Sequence, residues 1–102
     1  MNTDLLRTIT PTEVETYHRD GVLKLSGMFD KDWIEILNKG LDANCESPTE
    51  RSRIWNKDAS GHTMLYDTLA WREIEEYKKF IFNSPAAQIC GQLMNAKAIN
   101  FF

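Results

Sequence analysis

The sequence is poor in the residues that most site chemistry needs. There are two histidines, His18 and His62, and two cysteines, Cys45 and Cys90, in 102 residues. Two histidines 44 positions apart with no third ligand beside either cannot build a zinc or iron centre. Two isolated thiols make no disulfide framework, and the N-terminus, MNTDLLRT, has no apolar core that could act as a secretory signal. A reducing, cytoplasmic setting is the expectation. No apolar run approaches the ~20 residues of a membrane span. The balance of 12 basic and 15 acidic residues leaves a net charge of −3 and no basic patch, so neither a nucleic-acid nor a membrane partner is expected. The five glycines form no phosphate-binding run, and none of the serines sits in a nucleophile elbow. There are no repeats and no low-complexity tract.

What is present is a chain 42% hydrophobic and 11% aromatic, enough for one core. Residues 1–9 read as a tail, with Leu5, Leu6 and Ile9 available to pack down, and residues 10–102 as one unit. Thr10, Pro11 and Glu13 make a capping box with proline at the first helical position, and Gly21 stops that helix. Val22–Leu25 reads as a short strand, Leu23 and Leu25 on one face and Lys24 on the other. Asp30 caps a second helix over Lys31–Asn44 with Trp33, Ile34, Leu37 and Leu41 in one stripe. Gly40 inside it signals a close packing neighbour or an early end.

Cys45–Gly61 is polar, broken by Pro48, and long for a loop in a compact domain. It is either a surface segment or a functional loop. Thr63–Ala70 fits a short strand or a helical turn. Trp71–Asn83 reads as a third helix with Ile74, Tyr77 and Ile81 on one side, and Glu75 with Lys79 as a favourable pair. Ser84-Pro85 opens a fourth, in which Ala86, Ile89, Cys90, Leu93 and Met94 form the buried face, and Asn95 can take a left-handed terminal conformation. Lys97–Phe102 then alternates as a strand with no following partner. Two short strands rarely make a sheet, so the economical expectation is a cut sequence whose sheet lies elsewhere.

Within the first helix, His18-Arg19-Asp20 is formally H-x-D. On a strand, residues i and i+2 point the same way and can share a metal. In a helix they lie ~200° apart. The caps place the pair in the last helical turn, where a protonated His18 suits the negative end of the dipole. His62 reads as a solvated or locally hydrogen-bonded loop residue, or as one that lines a substrate cleft in a larger enzyme. Arg51 and Arg53 read as part of a solvated mixed-charge loop, or as contacts for an anionic substrate.

The ordered set Thr10, Pro11, Glu13, Tyr17, Arg19, Asp20, Gly21, Leu23, Leu25, Gly27 and Phe29 resembles the N-terminus of the phytanoyl-CoA dioxygenase family. Trp71, the Ser84–Met94 helix and Ile99–Phe102 extend the resemblance in the same order. It implies an α+β fold: a mainly helical N-terminal layer with short strands that packs outside a double-stranded β-helix jelly roll. It also implies that the complete enzyme is an iron(II)/2-oxoglutarate-dependent oxygenase acting on a small organic substrate. The family's H-x-D, distal histidine and arginine all follow the strand at Ile99–Phe102, so no catalytic, cofactor-binding or metal-binding residue is assigned to this chain. The alternative expectation is a small stand-alone helical interaction module whose apolar stripes bind a partner.

Overall fold

The computed structural model describes residues 1–55 and 58–102 and is α+β. Its elements are α1 (Pro11–Asp20), α2 (Lys31–Glu46), β1 (Arg53–Trp55), β2 (Met64–Tyr66), a 3-10 turn (Ala70–Arg72), α3 (Glu75–Asn83) and α4 (Ala86–Met94).

The capping box forms at α1. Thr10 Oγ1 accepts from the Glu13 amide at 3.2 Å, and Glu13 accepts from the Thr10 amide at 2.8 Å. Arg7 adds a two-pronged hold on the Glu13 carboxylate at 2.8 and 3.0 Å. That guanidinium, with the Thr10 amide, lowers the Glu13 carboxyl to about 2. Gly21 closes the helix at φ 71°, a conformation open to glycine and costly for most other residues.

The tail is not loose. Asn2 donates to the Met28 carbonyl and accepts from the Asp30 amide, and its own carbonyl accepts from the Trp33 indole at 2.7 Å. Leu5 and Ile9 pack on a core of Met28, Ile89 and Leu93, joined by Val14, Tyr17, Leu23, Leu25 and Phe29. Only Leu6 of the three apolar tail residues stays out, at 54% exposure.

Val22–Leu25 forms no strand and pairs with nothing among the described residues. Its alternation nonetheless orients it: Leu23 and Leu25 turn inward, Val22 and Lys24 outward. α2 runs two residues beyond the expected end. Of its stripe, Trp33 is buried and Leu37 half-buried, while Ile34 and Leu41 are each about half exposed. Gly40 is buried where α2 meets α3, so of its two readings the close neighbour holds and the early end does not. Phe80 of α3 completes that contact, its ring 5.1 Å from Phe29 and 5.6 Å from Trp33.

The sheet forms where the sequence looked least regular. β1 lies inside the Cys45–Gly61 stretch, of which residues 56 and 57 are outside the described residues. It pairs antiparallel with β2, Arg53 opposite Tyr66, Ile54 opposite Leu65 and Trp55 opposite Met64. Thr63–Ala70 thus holds the strand of its two readings, and a helical turn begins only at its last residue. The third helix starts at Glu75 rather than Trp71. Leu69 sits at φ 58° and Ile74 is extended, which confines Trp71 to the 3-10 turn. Glu75 pairs with Lys78, one residue short of the expected Lys79. Ser84 Oγ accepts from the Ala86 amide, and Asn95 ends α4 at φ 51°.

Two expectations fail at the C-terminal side. Lys97–Phe102 forms no strand, since nothing among the described residues offers it a ladder. Cys90 is exposed, not core: α4 buries only Ile89 and Leu93, and Met94 is 46% exposed. α4 packs on α1 and α3 with one side, and the side carrying Cys90 is left bare.

Candidate functional site

Much apolar surface stays in contact with water. The chain exposes 7640 Å². A self-contained monomer of 11.8 kDa exposes about 5,900 Å². The radius of gyration is 16.1 Å, against about 13 Å for a compact domain of this length. Two apolar hollows lie side by side on this surface. A groove of about 540 Å³ runs between α2, α3 and the 3-10 turn, lined by Leu37, Leu41, Leu65, Tyr77, Ile81 and Phe101 among others. A second cavity of about 490 Å³ adjoins it, lined by Phe82, Ala86, Cys90 and Ile99. Trp71, Ile81 and Phe101 border both. Phe82 and Phe101 stand T-shaped against the Trp71 ring at 6.0 and 5.7 Å. Trp71 Nε1 is buried and has no hydrogen-bond acceptor among the described residues.

A polar joint holds the hairpin at the edge of this face. Asp67, directly after β2, accepts from Asn44 Nδ2 at 2.7 Å, from the Thr49 amide at 2.8 Å and from the Thr49 hydroxyl. Burial disfavours the Asp67 charge, but these donors outweigh it and hold the carboxyl below its ordinary range. Arg51 reaches across the joint, donating to the Thr68 carbonyl at 2.8 Å and clasping the Glu73 carboxylate. Arg51 is therefore structural. Nothing in the sequence pairs Thr49 with Asp67, and this joint is invisible there.

The two histidines stand apart in role. His18 lies in the last turn of α1, its ring edge-on to Tyr17 at 5.7 Å, and Arg19 forks the Asp20 carboxylate. The helix puts His18 and Asp20 on different sides, so the H-x-D pair is not a chelate. His62 is locally hydrogen-bonded. Its Nδ1 lies 2.9 Å from Ser60 Oγ and 3.2 Å from Asp58 Oδ2, and Ser60 Oγ lies 2.6 Å from Asp58 Oδ1. Aspartate, serine and histidine together have the composition of a hydrolase triad but not its geometry. A relay needs the carboxylate on one imidazole nitrogen and the hydroxyl on the other. Here both meet Nδ1, and the histidine side chain is 84% exposed. The Ser60 hydroxyl, then the His62 and Ser60 amides, lower the Asp58 carboxyl, as in an aspartate-initiated turn.

Iron does not fit this donor set. Among the described residues there is no group of three His, Cys, Asp or Glu side chains that could hold a metal ion. No helix is long and apolar enough to cross a membrane. Comparison with protein-family models, curated proteins and solved structures finds no match.

Proposed function

We propose that this chain is the N-terminal helical layer of an iron(II)/2-oxoglutarate-dependent dioxygenase of the phytanoyl-CoA dioxygenase type. The observation that carries the reading is the uncovered face around Trp71, Ile81, Phe82 and Phe101. By the same scaling the whole chain exposes about 1,700 Å² more than a compact monomer of its mass, and this face holds part of that surface. An uncovered apolar face of this kind suits a permanent contact with a sheet of the same enzyme. The motif order from Thr10 to Phe29 and from Trp71 to Phe102 supplies the family. The complete enzyme hydroxylates an unactivated C–H bond of a small organic substrate as 2-oxoglutarate is decarboxylated to succinate. The iron ligands lie outside this chain, whose residues position and cover.

The test is to read the coding frame past codon 102 and express what it encodes. The expected product carries H-x-D, a later histidine and an arginine, and consumes 2-oxoglutarate only with iron(II). In it the amides of 80–102 exchange with deuterium more slowly than in the 102-residue chain. A stop codon there, with a monomeric and cooperatively folded 102-residue chain, would leave the interaction-module reading in its place.

A further inference from the structure

A second exposed apolar surface lies on one face of the hairpin, and it carries a charge. In an antiparallel pair, residues directly opposite share a face, and so do residues two apart on one strand. The register therefore gathers Arg53, Trp55, Met64 and Tyr66 on one side and leaves Ile54 and Leu65 on the other. Trp55, Met64 and Tyr66 are 56%, 61% and 56% exposed. On the opposite face Leu65 is half-buried towards the groove, while Ile54 is 68% exposed.

The cation on this face is Arg53. Arg7, Arg19 and Arg51 are paired with Glu13, Asp20 and Glu73, and Arg72 lies over the Trp71 ring at 5.8 Å. Arg53 is exposed and forms no ion pair among the described residues. Asp67, directly after β2, and Arg51, two residues before β1, tie the ends of the two strands together through Thr49 and Thr68.

The geometry points to a binding site for a flat organic monocarboxylate. A guanidinium takes a carboxylate with two parallel N–H donors, and one guanidinium matches one negative charge. Trp55 and Tyr66 give the flat body two ring surfaces to lie against. The site is independent of what covers the groove, so it and the dioxygenase reading fail separately.

The experiment titrates the ¹⁵N-labelled 102-residue chain with naphthalene-2-carboxylate and, separately, with 2-naphthylmethylammonium, the same flat body bearing the opposite charge. The carboxylate is expected to shift the Trp55 indole and the Tyr66 amide and to bind about tenfold tighter than the ammonium. Arg53→Gln removes the preference and keeps the Trp55–Met64 cross-strand contact in nuclear Overhauser spectra. If that variant loses the hairpin, Arg53→Lys decides: the charge stays without the planar fork, and the preference falls without vanishing. Equal binding of the two probes, shifts confined to Trp71 and the groove, or a preference unchanged in both variants overturns the site. So does absence of the Trp55–Met64 contact in the unaltered chain, because the four side chains then share no face.

Discussion

Gly40 of α2 lies against the ring of Tyr77 of α3, so near that a Cβ on Gly40 would come within 2.8 Å of Tyr77 Cε1 and 3.0 Å of Glu76 Cβ. Helix propensity favours alanine over glycine by up to ~1 kcal/mol inside a helix. Packing overrules it here. Gly40→Ala is expected to lower stability by about 1–3 kcal/mol, the range for overfilling a packed contact. Urea unfolding of the single variants and of Gly40→Ala with Tyr77→Ala checks this. The two substitutions together should cost less than the sum of their separate effects.

Trp33 is 1% exposed and donates its indole N–H to the Asn2 carbonyl. Trp33→Phe keeps most of the apolar volume and leaves that carbonyl short of a donor. About 1–3 kcal/mol is the expected loss. Trp33→Ala removes the ring as well, and about 3–5 kcal/mol is expected. Deuterium exchange in Trp33→Phe should quicken over residues 2–9 before it quickens in α4.

The Glu13 carboxyl falls from an unfolded value near 4.5 to about 2 in the folded chain. Its contribution to stability is fully present above about pH 4.5 and drains away as pH falls towards 2. Glu13→Gln, which cannot carry the charge, should flatten that part of the melting-temperature profile. It should leave the acid loss that comes from Asp67, another carboxyl held below its ordinary range. A Glu13→Gln profile as steep as the parent's between pH 4.5 and 2 would refute the assignment.

Cys45 and Cys90 are both exposed. Both should react with a thiol reagent in the native chain without denaturant. Cys90 borders the bare cavity beside Trp71 and Phe101. In a product where the apolar face is covered, Cys90 should become protected while Cys45 reports the change, if any, at the groove's other end. Mass spectrometry of the labelled peptides reads the two sites separately.

Local signals were legible in the sequence wherever one short stretch contains both halves of an interaction. Thr10 and Glu13 cap each other three residues apart, Gly21 stops its own helix, and Asn95 turns left-handed beside Met94. The inward facing of Leu23 and Leu25 was legible too, because alternation is local. Pairing was not: the same alternation at Val22–Leu25 and Ile99–Phe101 found no ladder, while Arg53–Trp55 and Met64–Tyr66 found each other across a polar loop. The Asp67 joint depends on Asn44 and Thr49, each 18 or more positions away, and no spacing rule connects them. The exposure of Cys90 was missed for a related reason. Helical periodicity tells which residues share a side of α4, and only the neighbours decide which side is covered.

The grip of Asn2 on the start of α2 also bears on how the chain is made. The Trp33 indole and the Asn2 carbonyl that receives its hydrogen bond are 31 positions apart. On a ribosome the tail emerges first and has nothing to hold until that tryptophan has cleared the exit tunnel. α1, whose caps are all within reach of Arg7 to Gly21, can form at once. The tail is therefore among the later segments to settle, although it precedes α1 and α2 in the chain.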